Sequence, residues 1–180
     1  MLPATARRRS QAPHPFTPAS QLARKKKTAT ADALAMLTRR DYSHAGLRTK
    51  LLAKDHAPRD VDETLEKCVA WGYLDDQRFG HSRLDSRLRR RPAGRSDALR
   101  DLQRQGLTAT MSEAVAETVF EELGGERGVL DDAFDRWVAR HGEPEDLASA
   151  KRCFDHLMRR SFPRYLVLQK LSSRLDDLTG

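Results

Sequence analysis

Cysteine is scarce in this chain of 180 residues: Cys68 and Cys153 are the only two, and they fit no CxxC or zinc-ligand spacing. A disulfide scaffold and a cysteine-built zinc site are therefore excluded, and a reducing, cytoplasmic setting is the simplest expectation. Aromatic residues make up only 6% of the chain. No apolar run approaches the ~18 residues that a membrane-spanning helix needs, and no signal-peptide hydrophobic region follows the first residues. With 38% hydrophobic and 33% charged residues, the chain can bury a lean core beneath a wet surface.

Catalytic signatures are missing as well. There is no Walker loop and no HExxH. The run Gly124-Gly125-Glu126-Arg127-Gly128 lacks the lysine and the strand–helix context of a phosphate loop. His14, His44, His56, His81, His141 and His156 are scattered, and no two stand at metal-ligand spacing. The expectation is a protein that is not an enzyme and needs no cofactor or metal.

What the chain does have is charge, unevenly placed. Residues 1–29 carry Arg7, Arg8, Arg9, Arg24, Lys25, Lys26 and Lys27 and no acid, so the net charge of +7 belongs to this arm. The arm is rich in Pro, Ala, Thr and Ser, a composition that predicts disorder and a loose attraction to phosphates. The rest holds 26 basic and 26 acidic residues. Within it the middle is polarised. Arg78 to Arg104 is +6, and Gln105 to Asp132 is −6. Arg83, Arg87 and Arg91 recur every four residues and so share a helix face, as do Glu113, Glu117 and Glu121. Like charges at that spacing destabilise a helix. Two outer surfaces of opposite sign are the functional expectation, and mutual pairing is the plain alternative.

Hydrophobic periodicity is helical throughout, and no segment reads as a strand. The first unit, residues 30–76, has Ala33, Leu34, Met36 and Leu37 on a short helix ending near Arg40. Leu47, Leu51 and Leu52 follow after a cap at Asp41 or Ser43. The third helix carries Val61, Leu65, Cys68 and Val69, opened by Pro58 and stopped by Gly72. The second unit, 77–132, has Phe79, Leu84 and Leu88. A helix capped by Ser96 then carries Leu99 and Leu102 up to Gly106. Its last helix bears Met111, Val115, Val119, Phe120 and Leu123. The third unit, 133–180, has Phe134, Trp137 and Val138, then Leu147, Ala150, Phe154 and Leu157, then Leu166, Val167, Leu171 and Leu175. Trp71 and Trp137 are expected to be packing anchors. Leu-Asp-Asp recurs at 74–76, 130–132 and 175–177, separated by 56 and 45 residues, a mark of like helical units. The expected fold is all-α: three tandem three-helix, helix-turn-helix-like repeats in an elongated, curved array. A helix of ~12 residues is ~18 Å long, and such an array offers a long surface in place of one deep pocket.

Arg39-Arg40-Asp41-Tyr42-Ser43, Leu47-Arg48, Lys50-Leu51 and Gly72-Tyr73-Leu74-Asp75-Asp76 with Arg78-Phe79 resemble the first block of the RecX family of recombinase regulators. Leu99, Leu102 and Gln105-Gly106-Leu107 resemble its second block, and Leu157-Met158-Arg159-Arg160-Ser161-Phe162 its third. The resemblance covers roughly residues 30–178. Gly46 stands where the family usually has Glu, Ser161 replaces a usual Gly, and Ala93-Gly94 departs from the usual Gly-Pro loop. The resemblance implies a bacterial, cytoplasmic protein that binds RecA and its DNA filament and inhibits strand exchange and ATP hydrolysis. The expected partners are the RecA filament and single- or double-stranded DNA, the latter mainly independent of sequence, and a monomer is expected.

On that reading the contacts to the filament or its DNA are Arg39, Arg40, Arg48 and Lys50 in the first unit. Arg83, Arg87, Arg90, Arg91 and Arg95 serve in the second, and Arg159, Arg160 and Arg164 in the third. A helix-turn-helix DNA-binding repressor is the competing reading. No unit shows the Asn/Gln/Arg mix that reads base edges, and the third helices of units one and two are acidic. A helical scaffold for another protein is the remaining reading.

Overall fold

The computed structural model describes residues 28–179, with side chains to residue 173. The basic arm lies outside the described residues apart from its last two positions. The described residues form nine helices and no strand: α1 (Ala29–Leu37), α2 (His44–Leu52), α3 (Pro58–Ala70), α4 (Asp76–Arg90), α5 (Arg95–Arg104), α6 (Ala109–Glu122), α7 (Gly125–His141), α8 (Leu147–Met158) and α9 (Arg164–Thr179). They pack in three consecutive triplets, α1–α3, α4–α6 and α7–α9.

Local chemistry sets the helix ends. Ser43 caps α2 by accepting the Gly46 N–H, and Asp75 caps α4 by accepting the Arg78 N–H. Pro58 opens α3, where its missing N–H is harmless. Asp146 and Ser149 close a reciprocal capping box on α8. Gly106 takes a φ of +91° after α5, a region that suits glycine. Ser96 does not cap α5. Gly94 holds the cap position without a side-chain bond, and Ser96 lies in the first turn. The reason is tertiary: the Gly94 N–H donates to the Arg160 carbonyl at 2.8 Å, and that contact fixes where the chain turns into α5.

The Leu-Asp-Asp tripeptide is not a structural repeat mark. At 74–76 it ends a loop and starts α4, at 130–132 it lies inside α7, and at 175–177 it lies inside α9. Residues 125–132, placed by the sequence at the end of the second unit, are the first turns of α7. Gly124 and Gly125, both at positive φ, make the break one helical stretch earlier.

The interior is two cores. Ala33, Leu47, Leu51, Val61, Leu65, Cys68 and Leu74 form one within the first triplet. A second, larger cluster runs without interruption from Leu84 on α4 to Leu171 on α9 and includes Phe120, Phe134, Trp137 and Phe162. The second and third triplets thus share one core, through the packing of α6 on α7. Each fully buried leucine contributes about 1.5–3 kcal/mol. Trp137 is an anchor, 5% exposed, but Trp71 is not: it is 50% exposed, beside exposed Val69 and Tyr73. The α3 stripe ends at Cys68, and Val69 and Trp71 fall past the face that Leu47 and Leu51 cover.

Both cysteines are buried and free. Burial pushes the Cys68 thiol up. Burial first, and the charge of Glu143 second, push Cys153 up to about 12, so both behave as packing groups.

Candidate partner-contact surface

The basic residues singled out by the sequence divide into those whose charge is already engaged and those left open. Arg83 and Arg87, one helical turn apart on α4, turn inward onto α5. Arg83 makes a two-pronged pair with Asp101, Nε at 2.9 Å and Nη2 at 3.2 Å. Arg87 pairs with Asp97 and approaches Asp101 at 3.9 Å. Asp101 is itself buried, so these pairs tie α4 to α5. The plain alternative, mutual pairing, therefore describes much of the middle unit.

The acidic stripe is engaged in the same way. Arg95, at the start of α5, donates to Glu113 at 3.1 Å and to Glu117 at 2.6 Å on α6, and its own N–H donates to Glu126 at 2.7 Å. Burial works against its charge, but Glu117 and Glu113 outweigh it and hold the guanidinium above its ordinary pKa. His81 lies 3.0 Å from Glu122. Glu121 makes no ion pair among the described residues.

Elsewhere Arg48 pairs with Asp62 at 3.0 Å across α2 and α3. Arg40 stacks over the Tyr42 ring at 4.4 Å, and Arg164 lies over Phe154 at 5.7 Å. Arg90 donates to the Ser86 carbonyl in its own helix. Arg160 donates to the Pro92 carbonyl at 2.9 Å. Arg39, Lys50, Arg91 and Arg159 are exposed and make no hydrogen bond or ion pair with their side chains among the described residues.

These open charges do not form a single patch. Arg39, Arg40 and Lys50 belong to the first triplet. Arg91, Arg159 and Arg160 come together where the α4–α5 loop rests on the α8–α9 turn. Two arginines that the sequence left unassigned join them there. Arg136 donates to the carbonyls of Arg89 at 2.7 Å and Arg90 at 3.0 Å. Arg140 lies one turn further along α7. Their four-residue spacing was the available signal; their nearness to Arg160 depends on how α7 lies against the loop after α4.

Among the described residues no group of three or more His, Cys, Asp or Glu is placed to hold a metal ion. No helix there is long and apolar enough to cross a membrane. The architecture is that of a helical-repeat protein whose surface features are charged helix faces and inter-helix loops.

Residues 29–68 match the model of the RecX first three-helix domain. The chain is 28% identical over 144 residues to the regulatory protein RecX of Syntrophotalea carbinolica, covering 80% of this chain and 94% of that one. It is 36% identical over 91 residues to regulatory protein RecX of Pelodictyon phaeoclathratiforme, about half of each chain (51% and 52%). The crystal structure of RecX from Lactobacillus salivarius superposes with a TM-score of 0.69 at 14% identity, over 82% of this chain and 94% of that one, a likeness of fold. Residues 29–68 thus carry the signature of the RecX first three-helix domain, and the chain is similar to RecX regulatory proteins in sequence and in fold.

Proposed function

We propose that this protein regulates homologous recombination and DNA repair by binding a RecA recombinase on its DNA filament, inhibiting strand exchange and ATP hydrolysis. The observation that carries the reading is the match of residues 29–68 to the RecX first three-helix domain, extended by the alignment over 144 residues. The serial layout supports it. Three triplets, α1–α3, α4–α6 and α7–α9, close to the units 30–76, 77–132 and 133–180 of the sequence but with 125–132 in the third, each present their own face, and many modest contacts along them suit a partner that repeats. Bound across neighbouring protomers, such a chain restrains the motions tied to hydrolysis. The contacts assigned are the open cations Arg39, Arg40, Lys50, Arg91, Arg159, Arg160 and Arg164. Arg48, Arg83, Arg87, Arg90 and Arg95 position the helices that carry them. The protein works as a cytoplasmic monomer without a cofactor.

The test is DNA-dependent ATP hydrolysis by a purified bacterial RecA, titrated with this protein at two salt concentrations beside its binding to free DNA. Inhibition at substoichiometric protein, under salt where free-DNA binding is weak, is the expected result. No inhibition at saturating protein, with tight binding to DNA alone, would replace this reading with that of a DNA-binding repressor.

A further inference from the structure

Three helix ends meet where the second triplet joins the third, and all three bring arginine. Arg91 is the C-terminal cap of α4, Arg140 stands in the last turn of α7, and Arg159 is the C-terminal cap of α8 with Arg160 next to it. The hydrogen bonds from Gly94 to the Arg160 carbonyl and from Arg160 to the Pro92 carbonyl lock the α4–α5 loop to the α8–α9 turn. Arg136, bound to the carbonyls of Arg89 and Arg90, fixes α7 against the same corner.

The charges are close enough to feel one another. Burial, then Arg91, Arg136 and Arg140, lower the pKa of Arg160. Burial, then Arg160, Arg159, His141 and Arg140, lower that of His156, one turn before Arg160 on α8. Some of this cationic charge serves the fold, since helix C-termini favour cations. Arg136 and Arg160 are accounted for by the carbonyls they bind. Arg91, Arg140 and Arg159 are surplus to that role: exposed, with no hydrogen bond or ion pair from their side chains among the described residues. Of the nearby carboxylates, Asp132 is taken by Arg136 at 2.8 Å, and Glu143, Glu145 and Asp155 form no ion pair among the described residues. Mutually repelling guanidiniums on a braced frame are a site awaiting anions.

We propose that this corner is a seat for the backbone phosphates of nucleic acid, with Arg91, Arg140 and Arg159 as the reaching contacts and Arg136 and Arg160 as the fixed floor. Guanidinium forks match phosphate oxygens two at a time. Cations spread over three helix ends suit a ligand with an anion at every step, better than one isolated carboxylate. Trp137 is buried and stacked on His141 at 4.8 Å, so it offers no ring to bases. Phosphate contacts carry no base information, so the contact is indifferent to sequence. The proposal rests on the regulatory reading above and deepens it, giving this corner to DNA rather than to protein.

The experiment measures anisotropy of a fluorescein-labelled oligo-dT strand against salt for the full chain. It compares the triple variant Arg91→Gln, Arg140→Gln, Arg159→Gln with a charge-matched variant, Arg59→Gln, Lys67→Gln, Arg127→Gln. Thermal melts show that each is folded. Removing one arginine–phosphate pairing lowers the slope of log affinity against log salt by about 0.7 on single strands, so the slope of the corner variant is expected to fall by about 2. It should bind roughly tenfold or more weakly at low salt, while the charge-matched variant keeps most of the slope. An unchanged slope in the corner variant, or an equal fall in both, would overturn the proposal. So would a corner variant that loses inhibition of RecA ATP hydrolysis while its oligo-dT slope stays at the wild-type value, because the corner would then face protein. Failure of the wild type to inhibit RecA overturns the regulatory reading instead, and leaves the oligo-dT result to judge the phosphate seat separately.

Discussion

The Ser43 hydroxyl donates to the carbonyl oxygen of Gln105 at 2.5 Å while its oxygen accepts the Gly46 N–H at 3.0 Å, so one side chain caps α2 and ties the first triplet to the second. Nearby, the Asp76 carboxylate accepts the His44 N–H at 2.6 Å. Asp76 thus supplies from the next triplet a carboxylate partner for α2's free N–H groups, where Gly46 leaves the capping box without its usual Glu. The two triplets have separate cores, and their joint is made of such loop contacts.

Replacing Ser43 by Ala removes both bonds. The cap contributes about 1 kcal/mol and the inter-triplet bond about as much again, so a loss of about 2 kcal/mol is expected. Because the cores are separate, that loss should fall on the first triplet. Urea denaturation gives the total, and amide exchange should show faster opening in α1–α3 than in α6–α7. Equal acceleration in both regions would contradict the two-core description.

Arg87 and Arg91 share a face of α4 but not a role. Arg87 is engaged by Asp97 and Asp101, and its Nη1 is buried without an acceptor among the described residues. Arg87→Glu sets a carboxylate against two others, one of them buried, and should cost about 3 kcal/mol or more. Arg91→Glu, on an exposed side chain, should stay within about 0.5 kcal/mol. Chemical denaturation of the two variants separates them. It also means that a loss of inhibition in Arg87→Glu reports on folding unless stability is measured beside it.

The α8–α9 turn holds Ser161 at a φ of +63°. A left-handed serine costs roughly 1 kcal/mol that glycine does not. Ser161→Gly gives up the exposed hydrogen bond from Arg100 at 2.8 Å, so the net expectation is a gain of up to about 0.5–1 kcal/mol. Gly94 faces the same turn with the opposite constraint. A Cβ there would lie 2.1 Å from the Ser161 carbonyl oxygen. Gly94→Ala must push the two loops apart, and should cost about 3 kcal/mol. Melting temperatures that rise for the first variant and fall for the second would bear this out.

His156 gives the stability a pH dependence. Burial, then Arg160, Arg159, His141 and Arg140, hold its folded pKa below the ordinary 6.5. As pH falls through about 6.5 the unfolded chain takes up a proton that the folded chain still refuses, so stability is full above that pH. It is lost on acidification until the folded imidazole titrates too. Melting temperature followed from pH 7.5 to 5.5 should drop more steeply for the wild type than for His156→Gln. Parallel curves would show that His156 is not the group responsible.

Much of the fold was legible residue by residue. The stripes Leu47–Leu51, Val61–Leu65–Cys68 and Val115–Val119 predicted helix and core together, because burial on a helix repeats every three to four residues. Pro58, Ser43 and Gly106 marked ends through chemistry local to a turn. Trp71 and Val69 were misplaced because periodicity gives a face but not where the neighbouring helices stop covering it. Ser96 was misplaced as a cap because the backbone contact from Gly94 to the distant Arg160 carbonyl set that helix start. The charged surface was the least legible part. Arg83, Arg87 and Arg91 read alike as a stripe, but two are engaged by α5 and the third makes no ion pair among the described residues.

The sequence by itself determined that the body of the chain is helical, most of the residues that each helix turns inward, and the RecX resemblance of its blocks. Those follow from residue type and spacing, which act over a few turns of one helix. Only the tertiary structure decided that the second and third triplets share a core while the first keeps its own. It also decided which arginines find a carboxylate, and that Arg91, Arg136, Arg140, Arg159 and Arg160 gather at one corner. Charges act through space with no regard to chain separation, so their partners are fixed only when the helices have packed.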